Sequence, residues 1–216
     1  MRVFLVIALL VSLSGCISDQ PGDRKMAGDE IPVNNMTIVG DSNPTEKKTP
    51  SEQWTQKEED AIMKQISIFS DAFENGSTMP VDYTCDGDDR SPALSWEGLP
   101  EGTRSIALIM DDPDAPGRTF VHWVIYNIPA DSTGLPAAMP GNTTLDDGSL
   151  QGKNDFSRTG YNGPCPPPGK PHRYFFKVYA LDTSLNLKSG VTRSQLESAM
   201  KGHILAQGEM IGKFER

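Results

Sequence analysis

The chain has 216 residues and a formal net charge of −9, with 29 acidic and 20 basic side chains. Such a chain lacks the basic stripes that displace counterions, which argues against a nucleic-acid-binding protein. Beyond the N-terminus, no window is long and apolar enough to span a bilayer. Apolar runs begin only after about residue 62, so the sequence predicts a single domain at 63–216.

Residues 1–16 have the pattern of an export signal that ends in a lipobox. Arg2 provides the positive charge, residues 3–13 form an apolar stretch of 11 residues, and small residues precede Cys16. We predict that Cys16 is acylated and holds the mature protein on the extracytoplasmic face of the cell membrane. The alternatives are an ordinary secretory signal with a chance cysteine, or a short anchor.

Residues 17–62 are predicted to be a flexible tether, because their polar composition cannot offset the conformational entropy of folding. A short polar helix at 51–64 is an option at its end. Glycosylation sequons begin at Asn35, Asn75 and Asn142, and their use depends on the organism.

Short apolar runs separated by turns predict a mainly antiparallel β domain. The run at 105–110 is apolar on both faces and predicts a central strand, whereas 134–156 is rich in turn residues and predicts a long irregular segment. Further strands are predicted at 66–70, 94–96, 123–126 and 174–179.

The C-terminal region predicts the single clear helix of the domain. Thr192 and Gln195 fit a capping box, and Gly202 fits the position after the helix end. Residues 203–214 predict a half-buried strand with Met210 and Phe214 pointing inward. His203 is interpreted as structural, because no acidic residue stands near it in the sequence.

Three polar residues stand beside predicted strand ends and indicate a small pocket. Asp112 follows the central strand, His122 opens the next one, and His172 follows the proline-rich loop 160–171, whose prolines fix φ. The structural alternative is that Asp112 caps a turn before Pro113 while the histidines fill strand ends.

Such residues can build three kinds of site. In an anion pocket, imidazoles and backbone N–H groups hold phosphate or carboxylate while Asp112 orients a ring. A metal site of two histidines and a carboxylate lacks the usual ligand spacing, and a calcium loop around Gly87 lacks its closing glutamate. Acid–base catalysis lacks an evident nucleophile.

Cys85 and Cys165 stand 80 positions apart in loops rich in glycine and proline. An exported compartment permits a disulfide between them, which would stabilise the fold by about 4 kcal/mol. Two free thiols near the pocket are an equally open reading, because spacing does not show how closely the Cα atoms approach.

A set of motifs in one order carries a family resemblance. The motifs are YTCDG at 83–87, SP at 91–92, DPDAP at 112–116, HWVIYNIP at 122–129, QGKNDF at 151–156, GY at 160–161, GPCPP at 163–167 and HRY at 172–174. The chain resembles the phosphatidylethanolamine-binding protein (PEBP) family, also called the Raf kinase inhibitor family, in its prokaryotic branch. The resemblance covers about residues 66–216.

This resemblance implies two antiparallel β-sheets with a short C-terminal helix and a small anion cavity at one end. It implies that the cavity is lined by Asp112, His122 and His172 and bordered by Tyr174, Pro166 and Pro167. Asp89 and Ala93 depart from the family pattern, where Asn and Pro are usual, which puts the pocket mouth in question.

The resemblance also implies function. Family members bind phosphorylated head groups or similar anions, some inhibit kinases or proteases, and they are not generally enzymes. We therefore predict a lipid-anchored, extracytoplasmic protein that binds a small anion without a cofactor. The alternatives are an inhibitor of an extracytoplasmic protease or kinase, acting through the loops at 85–89 and 134–156, and a weak hydrolase.

Overall fold

The structure is a computed structural model that describes residues 64–216. The predicted export signal, Cys16, the tether, the sequon at Asn35 and nearly all of the predicted helix at 51–64 lie outside the described residues. Lys64, the one described residue of that helix, instead begins a strand. Within 64–216, no helix is long and apolar enough to cross a membrane.

The described residues form two β-sheets and one α-helix, which confirms the predicted fold class. The six-stranded sheet has the order β1-β9-β8-β4-β5-β7, and the small sheet has the order β2-β3-β6. All neighbouring strands are antiparallel except β1 and β9. The strands are β1 Lys64–Gln65, β2 Ser67–Phe69, β3 Leu94–Glu97, β4 Ser105–Asp112, β5 Phe120–Pro129, β6 Gly134–Leu135, β7 Leu150–Gln151, β8 His172–Leu181 and β9 Ile204–Phe214.

Strand β4 is the centre of the large sheet, as its two-sided apolar pattern predicts. Every residue of β4 is buried, between β5 on one side and β8 on the other. Ile106, Leu108 and Met110 belong to the core that also contains the small sheet, whereas Ala107 and Ile109 pack on the opposite face. Successive side chains of a strand point to opposite faces, so β4 supplies both cores.

Helix α1, Arg193–Met200, covers that opposite face. Its N-terminus has the predicted capping box, in which the Thr192 side chain accepts from the Gln195 N–H and the Gln195 side chain accepts from the Thr192 N–H. Leu196 and Met200 are the buried residues of the helix. Gly202 has φ +85°, a left-handed value that suits glycine at a helix end.

One local prediction was wrong, and so was the reason for interpreting His203 as structural, although that interpretation itself is not contradicted. The segment 134–156 is not irregular throughout, because β6 joins the small sheet and β7 pairs with β5. His203 does have an acidic partner, since its Nδ1 lies 2.8 Å from an oxygen of Asp182. Asp182 stands 21 positions earlier and meets His203 only because the ends of β8 and α1 come together.

Candidate functional site

A cavity of about 170 Å³ lies where β4 ends and where β5 and β8 begin. These strands are antiparallel, so the C-terminal end of β4 lies beside the N-terminal ends of its two neighbours, at one end of the strands. The cavity is lined by Asp112, Ala115, Pro116, Phe120, His122, Phe156, Cys165, Pro166, Pro167, His172 and Tyr174. The structure thus brings together all six residues that the sequence analysis assigned to the site.

Larger clefts of about 470–490 Å³ lie elsewhere on the described domain. None of the three is lined by a histidine or by residues of the Asp-Pro loop. The smaller cavity is the better candidate, because it combines an apolar wall with a few convergent buried polar groups.

Asp112 and His172 form the buried polar pair of the cavity. Each is 3% exposed, and the His172 Nδ1 lies 2.7 Å from Asp112 Oδ2. The other carboxylate oxygen, Asp112 Oδ1, accepts a hydrogen bond from the Asp114 N–H at 2.8 Å. Asp112 therefore both holds the turn and orients the imidazole, which leaves His172 Nε2 as the nitrogen available to a ligand.

The His122 ring is held by a hydrogen bond to the backbone of Asn162. Its Nδ1 lies 2.8 Å from the Asn162 carbonyl oxygen, an atom that can only accept, so this nitrogen carries a proton. Burial lowers the pKa of His122, although hydrogen bonding to the backbone and the charge of Asp112 oppose the shift. The ring is therefore neutral near pH 7, with Nε2 as the free nitrogen.

Tyr174 carries a buried hydroxyl whose distances and angles fit no hydrogen bond with the described residues, although the Cys165 backbone and the Asp112 carboxylate lie near it. Its ring packs edge-on against His122, with 5.2 Å between the ring centroids. Burial raises the pKa of Tyr174, and the charges of Asp112 and Asp114 raise it further, so the hydroxyl keeps its proton. A buried hydroxyl without a protein partner is uncommon, so this group is open to a hydrogen bond with water or with a ligand in the cavity.

The remaining wall is apolar and includes residues that the sequence analysis did not assign to the site. Phe120 and Phe156 meet edge-on at 4.9 Å between centroids, and Phe156 also meets His122 edge-on at 5.4 Å. Phe156 and Pro116 stand in the motifs QGKNDF and DPDAP. These motifs were the only sequence signal for their place in the wall, because an isolated Phe or Pro is most often structural.

An ion pair outside the cavity holds the Asp-Pro loop against the start of β8. Arg173 Nε and NH2 donate to the two carboxylate oxygens of Asp114, each at 2.8 Å. The guanidinium lowers the pKa of Asp114 to about 2. This contact places Asp112 and His172 side by side, since each is within two residues of the pair.

The buried side-chain amides of Asn154 and Asn162 fix the segment that hydrogen-bonds to His122. The Asn154 side chain donates to the Gly160 carbonyl at 3.0 Å and to Asn162 Oδ1 at 2.9 Å. Asp89 accepts from the Gly163 N–H at 2.6 Å and from the Asn162 side chain at 3.1 Å. Asp89, a departure from the family pattern, therefore does not line the cavity but holds the segment that carries the His122 partner.

Cys85 and Cys165 form a disulfide, with Cα atoms 5.4 Å apart. The structure thus answers the question that sequence spacing left open. Cys165 lines the cavity, and both cysteines are exposed. The bond joins the loop after the short 3₁₀ turn Val81–Tyr83 to the proline-rich wall.

Comparison with known families matches residues 69–215 to the family model described as phosphatidylethanolamine-binding protein. This chain belongs to the phosphatidylethanolamine-binding protein family. The match spans the whole region that carries the motifs, and both sheets except β1 and the first two residues of β2. The expectation of a PEBP fold is confirmed.

Relatives in archaea and bacteria are closely similar. A UPF0098 protein of Methanothermobacter thermautotrophicus is 50% identical over 151 residues, which are 70% of this chain and 99% of that protein. A UPF0098 protein of Aquifex aeolicus is 52% identical over 153 residues, or 70% of this chain and 89% of the relative.

Solved structures show the same fold. The PEBP homolog CT736 of Chlamydia trachomatis is 36% identical, with a TM-score of 0.65 over 71% of this chain and 99% of that one. Escherichia coli YbcL, described as a member of the mammalian PEBP family, is also 36% identical, with a TM-score of 0.66 over 70% of this chain and 99% of YbcL.

Proposed function

We propose that this PEBP domain binds a phosphate-bearing or other small anion in the cavity lined by Asp112, His122 and His172. The observation that carries the proposal is the buried Tyr174 hydroxyl, which meets no hydrogen-bond criterion with the described residues. The Tyr174 ring packs against His122, and both histidines line the same cavity. Each imidazole has one nitrogen held by the protein and one free. An anion can accept from the hydroxyl. The free Nε2 of neutral His122 accepts from a protonated oxygen of the ligand, or donates once an anion has drawn a second proton onto the ring.

The cavity also limits what can enter. A volume of about 170 Å³ suits a phosphate or a carboxylate with a short substituent, and is below the volume of a drug-sized pocket. The polar groups belong to strand ends, whereas the apolar Phe120, Phe156, Pro166 and Pro167 make the rest of the wall. A ligand with one anionic end and a small, less polar remainder satisfies both parts.

The proposal places this domain outside the cytoplasm on a lipid anchor. Its support is the N-terminal sequence, in which the apolar stretch 3–13 is followed by a lipobox cysteine, Cys16. Metabolic labelling with a radioactive fatty acid tests it, with Cys16→Ser as the variant that should lose both the label and membrane association. Label retained in that variant would contradict the anchor.

The test of anion binding is calorimetric titration of the full chain with inorganic phosphate and with phosphoethanolamine. We expect binding in the wild-type protein and a loss of at least about tenfold in affinity in a His122→Ala, His172→Ala double variant, since each lost hydrogen bond to a charged ligand costs about 1.5–3 kcal/mol. His203→Ala is the matched control, because His203 pairs with Asp182 far from the cavity lining. No heat across a broad anion panel would overturn the proposal.

Inhibition of an extracytoplasmic protease or kinase is the second candidate. It is supported by the exposed acidic loop, in which Asp86 and Asp88 stand beside the disulfide-bonded Cys85. Pull-down from membrane extracts with the wild type and with the histidine double variant separates the two functions. A partner retained equally by both would favour a surface inhibitor over a cavity that binds the partner.

The proposal assigns no chemical step to this site. A panel of phosphate and carboxylic esters tests that assignment. Hydrolysis that is lost in Asp112→Asn would contradict it and would support the hydrolase alternative, with His172 as the base that Asp112 orients.

A further inference from the structure

The Cys85–Cys165 disulfide lies between solvent and the cavity. Both cysteines are exposed, so a thiolate in solution can reach the bond. Cys165 lines the cavity together with Pro166, whereas Cys85 is not part of the lining. Cleavage of this bond would therefore change the cavity wall through the Cys165 sulfur and not through Cys85.

The two sulfurs have oppositely charged neighbours. Asp86 Oδ1 lies 3.8 Å from Cys85 Sγ, and Arg216 NH1 lies 3.9 Å from Cys165 Sγ. Arg216 Nε also donates to Asp86 at 3.1 Å. The Gly169 N–H donates to a main-chain oxygen of Arg216 at 3.2 Å, which holds Arg216 in place. A neighbouring cation stabilises a thiolate and a neighbouring carboxylate destabilises one.

We propose that this disulfide is a thiol–disulfide exchange site that weakens anion binding when it is reduced. The coupling to the cavity rests on the proposed function, whereas the exchange chemistry does not. The reactants are small thiols or a dithiol reductase. Exchange is faster when the leaving thiolate is stabilised, so Cys165, beside Arg216, is the leaving sulfur and Cys85 is the sulfur attacked.

In the first step, the thiolate of the reductant forms a bond to Cys85 Sγ, and the electron pair of the Cys85–Cys165 bond leaves with Cys165 as its thiolate. A second thiolate of the reductant then attacks the reductant's sulfur in the mixed disulfide. This releases Cys85, which takes a proton from water. The protein gains two electrons, and the two thiols of the reductant become one disulfide.

Reduction puts a negative charge into the wall of the cavity. The charge of the Cys165 thiolate repels an anion bound beside His172 and Tyr174, since all three residues line the same cavity of about 170 Å³. At separations of about 8 Å and an intermediate effective dielectric constant, we expect a loss of affinity of about fivefold.

The exchange is tested on the folded full chain by incubation with 2-mercaptoethanol, quenching with an alkylating agent and mass spectrometry of the cysteine peptides. We expect the mixed disulfide on Cys85 and the alkyl group on Cys165. Arg216→Gln should slow the appearance of alkylated Cys165. Adducts that form mainly on Cys165, or exchange that occurs only in denaturant, would overturn the proposal.

The coupling is tested by phosphate titration of Cys85→Ser and Cys165→Ser at pH 6 and at pH 8.5. Both variants lack the disulfide, but only Cys85→Ser keeps a thiol at position 165 that can ionise. We expect the affinity of Cys165→Ser relative to Cys85→Ser to rise about fivefold between the two pH values. Near-ultraviolet circular dichroism verifies that both variants are folded.

If the ratio of the two phosphate affinities does not change with pH, any loss of affinity comes from the greater mobility of the two loops rather than from the thiolate charge. That result would overturn the coupling. A disulfide-bonded wild-type protein that binds no phosphate would overturn the proposed function and the coupling together. In that case the peptide analysis would still decide the exchange chemistry by itself.

Discussion

At the scale of single residues, each of the two imidazoles in the site has one nitrogen hydrogen-bonded to the protein and one nitrogen free. Asp112 holds one nitrogen of His172, and the Asn162 carbonyl holds one nitrogen of His122. The backbone thereby sets the tautomer of His122 before any ligand arrives. The remaining nitrogens and the Tyr174 hydroxyl are the groups that a ligand can use.

Tyr174→Phe should separate ligand binding from stability. The hydroxyl is buried and makes no hydrogen bond with the described residues, so its removal should leave the free energy of unfolding unchanged or raise it by up to about 1 kcal/mol. Phosphate affinity should fall by about tenfold. Denaturant unfolding and calorimetry measure the two effects, and a large loss of stability would show that the hydroxyl is satisfied without ligand.

His122 should make the ligand-free protein less stable as the pH falls. Because burial lowers its pKa below the ordinary 6.5, the unfolded chain binds the proton more tightly than the folded one. The stability contributed by neutral His122 is present above about pH 6.5 and is lost as the pH falls toward the folded-state pKa.

The check is thermal unfolding of the wild type and His122→Gln between pH 8 and pH 5. The variant should lose less stability across this range, because it has no imidazole to protonate at that position. Equal pH dependence in the two proteins would contradict the assignment. With phosphate present the wild-type dependence should weaken, since an anion favours the protonated ring.

At the scale of elements, one buried carboxylate attaches helix α1 to the sheet. Asp111 is fully buried at the end of β4, and its oxygens accept from Lys177 of β8 at 2.9 Å and from Arg193 of α1 at 2.8 Å. The cations are only about a quarter exposed. Asp111 thus lies on the helix-covered face of β4, whereas the next residue, Asp112, lies at the cavity.

Lys177→Gln and Arg193→Gln should be non-additive. Either change alone leaves Asp111 one cation and should cost about 1–2 kcal/mol, whereas the double change leaves a buried unpaired carboxylate and should cost more than the sum. Denaturant unfolding measures all three variants. Arg118→Gln is the control, since that side chain is 65% exposed in its pair with Asp155 and should cost less than about 1 kcal/mol. Simple additivity would contradict the shared role.

At the scale of the whole molecule, the disulfide joins positions 80 residues apart across the domain. Between them the chain forms β3 to β7, so the bond limits the unfolded ensemble far more than a local bridge would. It reinforces contacts that already join the two loops, such as the Cys85 N–H to the Pro164 carbonyl at 3.0 Å.

Reduction should therefore lower the free energy of unfolding by about 4 kcal/mol. Most domains of this size retain a folded state after such a loss, because their total stability is about 5–15 kcal/mol. Guanidinium chloride unfolding with and without a phosphine reductant measures the shift in midpoint, and Cys85→Ser should match the reduced wild type. An unchanged midpoint would show that loop contacts alone constrain these segments.

Local sequence patterns were sufficient for the elements whose signals are local. The two-sided apolar run of β4, the capping box of Thr192 and the alternation that buries Met210 in β9 all predicted what the structure shows. The motifs with their spacing also predicted the family and the six cavity residues. These features depend on propensity, periodicity and order along the chain, which a sequence contains.

Contacts between distant segments needed the tertiary structure. Asp182 as the partner of His203, Asn162 as the partner of His122 and the pairing of Cys85 with Cys165 each join positions at least 21 residues apart. No local pattern predicts them, because they depend on how strand ends and loops meet. For the same reason β6 and β7 were missed, since strands of two residues are defined by their partners rather than by their own composition.

The sequence by itself determined which residues form the central strand, where the helix begins and six of the side chains that line the cavity. The tertiary structure decided their chemical state. It buries His122 against a carbonyl, leaves the Tyr174 hydroxyl without a partner among the described residues, and places the Cys165 sulfur beside Arg216. Protonation and reactivity depend on burial and on neighbours in space, and those neighbours exist only once the chain has folded.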